Sequence, residues 1–287
     1  MTASQISPHS AERVDLVARA RLAALRIAPA GPGWATALLV PGYTGSKEDF
    51  APLLDPLAAA GMHAVAVDLP GQYESPGAGD EADHLPEPLG RTVAALVHDL
   101  AAERPVLLLG HSYGGLVARA AVLAGAPLTG LTLLDSGPAA LPPGPRRATL
   151  ELAEPLLRTE GIEAVQRFRE ALDGPVEPAE LAALLRARFL GSSVPGLLGM
   201  ATALRGEPDR VDELVAALGT TPRMVVCGEA DDAWPVALQA AMATRLDAEF
   251  AVVPGAGHSP NTENPHGLLA ALLPVWRYWI GDGTVVG

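Results

Sequence analysis

Gly110-His111-Ser112-Tyr113-Gly114 sets a serine between two glycines, where an apolar run ending "VLLLG" gives way to the helically spaced "YGGLVARAAVLAG". A serine oxygen at such a junction is offered on a cramped strand-to-helix bend, where side chains in place of the glycines would clash. Backbone N–H groups of the new helix are left free beside it. The same residues also suit an ordinary turn. A serine hydroxyl is a poor nucleophile without a base, so the partners decide between the two.

Among seven histidines, one is placed to act as that base. His9 lies in a polar segment, His63 opens a strand-like run, His84 sits in an acidic loop, and His98 and His266 fall in helix-like stretches. His111 adjoins the serine, but neighbours on a sharp turn point apart. His258 sits in "VVPGAGHSPNTENP", a glycine-flanked loop directly after a strand-like run. Parallel α/β sheets gather their sites in such loops.

A carboxylate must then hold the base in one tautomer and stabilise its imidazolium. Glu229, Asp231 and Asp232 in "VVCGEADDAWP" follow one strand-like run, and Asp135 follows another. Chain order leaves the choice open, although adjacent residues diverge, so Asp231 and Asp232 cannot both face His258. The developing oxyanion needs two donors. The Tyr113 N–H follows the serine, and the Tyr43 N–H in "VPGYTGS" lies in the loop after an earlier strand, where Gly42 allows close backbone approach.

The elements that must position these residues are legible as alternation. "ATALLVPG", "HAVAVDLPG", "PVLLLG" and "LTGLTLLDSG" read as buried strands, separated by amphipathic helical runs. After the proline-rich "PAALPPGPRR" the chain turns helical to about Leu218, and strand character then returns at "RMVVCG" and "AEFAVVPG". The expected fold is α/β, with a mostly parallel central sheet covered by helices on both faces and a helical insertion. Residues 1–138 and 220–287 form the expected core, and 139–219 the insertion. "RARLAALRIAP" suits either antiparallel edge strands or a helix.

In this order the motifs resemble the α/β-hydrolase superfamily. "PGYTGS" resembles its oxyanion loop, "DLPGQYES" the loop after the next strand, "GHSYGG" its nucleophile elbow, "GEADDAWP" its acid loop and "GAGH" its histidine loop. The resemblance spans about Ala35 to Trp279 and implies an α/β-hydrolase fold with an inserted cap. It implies Ser112 as nucleophile, His258 as base and, by its place after the glycine of the acid loop, Asp231 as the acid. Two departures stand out. Pro41-Gly42 replaces the usual His-Gly, so loop ordering must come from elsewhere. "GQYES" replaces a Gly-His-Gly-x-Ser pattern and puts Tyr73 and Glu74 at the expected pocket rim.

The implied activity is hydrolysis of a carboxylic ester or related acyl bond through an acyl-enzyme. A serine at the elbow disfavours the dehalogenase and epoxide hydrolase chemistries of this superfamily, which use aspartate there. Carbon–carbon bond hydrolysis, perhydrolysis, aminopeptidase and thioesterase activities share the same triad, and a ligand-binding protein on this scaffold is the alternative outside enzymology. An aminopeptidase would use acidic cap residues, but Glu160, Glu163, Glu170, Glu177 and Glu180 lie on amphipathic helices and suit a solvated face. Phe189, Leu190, Met200 and Leu204 are expected to line an apolar pocket.

Composition narrows the partners. A net charge of −13 argues against nucleic acid and anionic membranes as the main partner, and the resemblance implies a small-molecule substrate. Cys227, the single cysteine, excludes an internal disulfide and cysteine-rich metal sites, and it reads as a buried structural thiol. No metal and no cofactor are expected. "MTASQISPHSAERVDLV" lacks a basic segment followed by an apolar one, so a cytoplasmic location is expected.

Overall fold

The computed structural model describes residues 3–281; residues 1, 2 and 282–287, assigned to the core ends from sequence, lie outside the described residues. Its strands are β1 (Glu12–Val17), β2 (Arg21–Ile27), β3 (Ala35–Val40), β4 (Met62–Val67), β5 (Val106–His111), β6 (Gly130–Leu134), β7 (Arg223–Gly228) and β8 (Glu249–Val253). They form one sheet in the order β1-β2-β4-β3-β5-β6-β7-β8. From β4 to β8 every pairing is parallel, and β1 and β2 join antiparallel. The alanine-rich "RLAALRI" is therefore a strand. Its central Leu22 to Leu25 are buried between β1 and β4, so tertiary pairing outweighs the helical preference of alanine.

β3, β5 and β6 are buried along their whole length because both faces of the sheet are covered. On one face lie α2 (Pro86–Ala101) and α3 (Tyr113–Leu123), with Leu89, Val93, Leu116 and Val117 in the core. On the other lie α1 (Ala51–Ala59) and the final helix, Pro265–Ile280, which contribute Leu53, Leu57, Leu268, Leu272 and Trp276. Each such leucine contributes about 1.5–3 kcal/mol by leaving water. The Trp276 indole N–H reaches Thr132 Oγ1 at 2.9 Å, so this large side chain is buried without an unmet donor.

Between β6 and β7 run α4 (Pro145–Glu160), α5 (Ile162–Asp173), α6 (Ala179–Leu190), α7 (Val194–Gly206) and α8 (Val211–Leu218). Leu157, Val165, Phe189, Leu197 and Leu198 form a satellite core among them. α7 is a fully formed helix that the sequence pattern did not separate from its neighbours. Its Met200, Ala201 and Leu204 join the main core, so the insertion is rooted in the sheet domain. The remaining helices, α9 (Val236–Leu246), α10 (Pro260–Glu263) and α11 (Pro265–Ile280), follow β7 and β8. Among the described residues no single helix is long and apolar enough to cross a membrane; α6 and α7 pass only as a pair bent by 91°.

Register fixes where the loops emerge. Val40 pairs with Gly110, His111 with Leu134, Leu134 with Val226, and Gly228 with Val253. The carboxyl ends of β3, β5, β6, β7 and β8 therefore lie along one edge. The loops carrying Tyr43, Ser112, Asp135, Asp231 and His258 leave from that edge together.

Candidate active site

Ser112 is the bend itself. Its φ of 55° and ψ of −119° are a left-handed conformation that non-glycine residues seldom adopt. The surroundings hold it there: the Ser112 N–H donates to the Leu134 carbonyl at 2.8 Å, and its carbonyl accepts the Gly115 N–H at 2.9 Å. The glycines follow from the same crowding. A Cβ on Gly110 would strike the Gly114 carbonyl, and one on Gly114 would strike the Val40 and Pro41 carbonyls.

The bend delivers Ser112 Oγ to His258 Nε2 at 2.9 Å. On the far side of the ring, His258 Nδ1 lies 2.8 Å from Asp231 Oδ1. Asp231 is held in turn by the Ala233 N–H, 2.8 Å from Oδ1, and by Gln239 Nε2, 2.6 Å from Oδ2. Ser112, Asp231 and His258 are 5%, 8% and 8% exposed, so this relay is screened from bulk water. Burial pushes the Asp231 carboxyl up, but the hydrogen bond and charge of His258 and the Ala233 N–H bring it below the ordinary carboxylate range. An ionised acceptor opposite Nδ1 places the ring proton on Nδ1 and leaves the Nε2 lone pair facing the serine.

The other candidates go elsewhere. Asp232 turns outward to Arg146, with Nη2 2.7 Å away, and Glu229 accepts the Gly255 N–H at 2.9 Å. Asp135 is fully buried at the end of β6 and accepts the Gly228 N–H at 2.8 Å. His111 donates from Nε2 to the His258 carbonyl at 2.7 Å, with the two rings 5.2 Å apart. Burial and the neighbouring His258 push the His111 ring down to about 4, so it is neutral at physiological pH. It braces the histidine loop and does not face the Ser112 oxygen. Buried His84 bonds through Nδ1 to the Asp80 carbonyl, and His9, His63, His98 and His266 are not among the residues lining the cavity.

Near Ser112 the Tyr113 N–H opens α3 and so has no helical partner. No backbone carbonyl among the described residues accepts the Tyr43 N–H. The loop carrying Tyr43 is ordered without a histidine. Gln72 Nε2 donates to the Gly42 carbonyl at 2.7 Å, and Gln72 Oε1 accepts the Leu69 N–H at 3.0 Å. Lys47, buried just beyond, donates through its backbone N–H and Nζ to Asp68 at 2.7 and 3.0 Å. The sequence reading missed Gln72; its place in "LPGQYES", two residues after Pro70 in the loop that follows β4, was the available signal.

A cavity of about 500 Å³ opens over Ser112 and His258. Tyr43, Leu141, Leu150, Phe168, Phe189 and Leu204 supply its apolar walls, and Arg146, Arg169 and Arg188 its cations. Two expectations are corrected. Tyr73 and Glu74 do not line it: Lys47 sits over the Tyr73 ring and bonds Glu74 at 3.0 Å, which draws both toward the buried lysine. Leu190 and Met200 are also absent from the lining, since Met200 packs into the main core. Glu160, Glu163, Glu170, Glu177 and Glu180 do not reach the cavity, and Glu170 pairs with Arg186. Among the described residues, Asp135, Asp231 and His258 form the one cluster with metal-ligand spacing. The Asp231 and His258 atoms are already committed to each other and to Ser112, Ala233 and Gln239.

A model of the alpha/beta hydrolase family matches residues 37–272. Curated relatives include the 2-succinyl-6-hydroxy-2,4-cyclohexadiene-1-carboxylate synthase of Escherichia fergusonii, 31% identical over 182 residues, or 60% of this chain and 68% of the relative. The protein of the same name from Escherichia coli O139:H28 is 29% identical over 262 residues, covering 86% of this chain and 96% of its own. Among solved structures, a thermophilic esterase from Thermogutta terrifontis superposes with a TM-score of 0.72 at 24% identity, over 93% of this chain and 99% of that one.

Proposed function

The chain belongs to the alpha/beta hydrolase family, and from that premise we propose that it is a serine hydrolase cleaving an ester or related acyl bond of a small substrate. The observation that carries this reading is the continuous relay from Ser112 Oγ through the His258 ring to Asp231, with spacings of 2.9 and 2.8 Å. His258 Nε2 accepts the serine proton as Ser112 Oγ attacks the acyl carbon. Asp231 stabilises the resulting imidazolium without itself being protonated. The Tyr43 and Tyr113 N–H groups receive the oxyanion, and His258 gives its proton to the leaving group. Water, deprotonated by the same nitrogen, then releases the acyl group. The helices of residues 139–219 act as a cap, since Leu150, Phe168, Phe189 and Leu204 wall the cavity above the serine. Hydrolysis of a p-nitrophenyl ester by wild type and Ser112→Ala tests the mechanism: equal rates would refute it.

A second reading draws on the relatives named as synthases of a succinyl-substituted cyclohexadiene carboxylate. Arg146, Arg169 and Arg188 line the cavity and favour a carboxylate-bearing substrate, although all three are engaged within the protein, Arg188 with Asp49, Arg146 with Asp232 and Arg169 over the Phe189 ring. The same serine and histidine would then move a proton on such a substrate. Turnover in ¹⁸O-water separates the readings: hydrolysis puts solvent oxygen into the acid product, and proton transfer without hydrolysis does not.

A further inference from the structure

Asp135 was one of several candidates for the acid, and its position assigns it a different part. It follows β6 with a left-handed φ of 45° and is 0% exposed. Its Oδ1 accepts the N–H of Gly228, the residue that ends β7 and starts the loop carrying Asp231. Single ligand atoms of Asp135, Asp231 and His258 all lie within 4.8 Å of one another. Asp231 is satisfied by three donors, from His258, Ala233 and Gln239. Asp135 Oδ2 is buried and meets no donor.

Two buried carboxyls this close are not both stable as anions. Asp231, which faces the histidine ring and two further N–H donors, is the better place for the charge. We propose that Asp135 is a positioning residue whose carboxyl carries a proton at neutral pH and donates it from Oδ2 to Asp231, holding that carboxylate against His258. One hydrogen atom supplies both the missing partner of Oδ2 and a fourth donor to Asp231. A carboxylic acid kept neutral by its site so that it can donate a hydrogen bond is established chemistry. Burial and the Asp231 charge hold the Asp135 carboxyl well above the ordinary range, Glu263 on α10 adds to this, and the Gly228 N–H opposes it. The other titratable groups facing the pair are Cys227, His258 and His111. The Cys227 thiol is pushed up to about 12 by burial, Asp135 and Asp231, and the His111 ring is neutral.

The effect on rate rests on the Ser112–His258–Asp231 reading, but the proton on Asp135 does not, so the test reads both. Infrared spectra at pH 7 compare wild type with Asp135→Asn, whose amide can accept from Gly228 and donate to Asp231. The expected result is loss of one protonated-carboxyl C=O band in the variant. Ester kinetics then compare Asp135→Ala with Asp135→Asn. The alanine variant loses about tenfold in kcat/KM, as for a removed buried hydrogen bond, and the asparagine variant recovers most of it. The acid limb of the pH profile moves to higher pH in Asp135→Ala, because Asp231 no longer shares its charge with a donor, and stays in place in Asp135→Asn. An ionised Asp135 predicts the opposite: removing a negative charge shifts the acid limb to lower pH in both variants. That shift, or an unchanged infrared band pattern, overturns the proposal. If Asp135→Ala does not fold, the near-isosteric asparagine variant still decides. If wild type hydrolyses no ester, the infrared band alone decides.

Discussion

The strand-end loops and the inserted helices face the same cavity but are held very differently. Ser112, Asp231 and His258 are less than a tenth exposed, and main-chain or side-chain hydrogen bonds fix each of them. Across the cavity, α4 and α5 leave Leu152 and Leu172 67% and 60% exposed, and the charged contacts there are mostly surface pairs such as Arg146–Asp232. The floor is fixed by hydrogen bonds residue by residue, and the wall is held mainly by apolar packing among Leu150, Phe189, Leu204 and their neighbours. On the proposed reading, floor residues set how fast any substrate reacts, and wall residues set which substrate reacts.

Substitutions separate the two. The largest effect is expected for Ser112→Ala, which should lower kcat by about 10⁴–10⁶ for every ester, measured by single-substrate kinetics across an acyl-length series. Asp231→Asn should cost about 10⁴, because the amide favours the wrong histidine tautomer. Gln72→Ala should cost about tenfold, uniformly across the series, since it leaves the Gly42 carbonyl and the Leu69 N–H without their partner. Phe189→Ala should change the kcat/KM ratio between long and short acyl groups by about tenfold while leaving the shortest ester nearly untouched. A uniform loss from Phe189→Ala, or a length-dependent one from Gln72→Ala, would break the division of labour. The smallest effect is expected at the rim. Asp232→Asn should stay within about twofold of wild type in rate, because an exposed ion pair is worth only about 0–1 kcal/mol.

The same contrast explains what the sequence made legible. Glycines at Gly110 and Gly114, a serine between them and a histidine loop after a strand are local signals of a bend and of a strand-end loop. They pointed to the residues that the structure gathers at one edge of the sheet. Choosing Asp231 over Asp232 needed the resemblance, because the two differ only in the direction their side chains leave one loop. Three features depended on distant pairing. The alanine-rich β2 is a strand because β1 and β4 flank it. Tyr73 and Glu74 leave the expected rim because the buried Lys47 draws them away. Asp135 faces Asp231 only because β6 and β7 end side by side. The insertion was readable as helical and as a pocket wall, with Phe189 and Leu204 lining the cavity as expected, but amphipathic spacing did not say that Leu190 and Met200 stay out of it.

Covalent capture of the serine tests the central claim most directly. Wild type, Ser112→Ala and His258→Ala are incubated with a fluorophosphonate probe, and the adduct is located by peptide mass spectrometry. An activated serine predicts rapid, stoichiometric labelling on the peptide containing Ser112, none there in Ser112→Ala, and strongly slowed labelling in His258→Ala. Absence of labelling in folded wild type, or labelling of Ser112 at the same rate without His258, would contradict it.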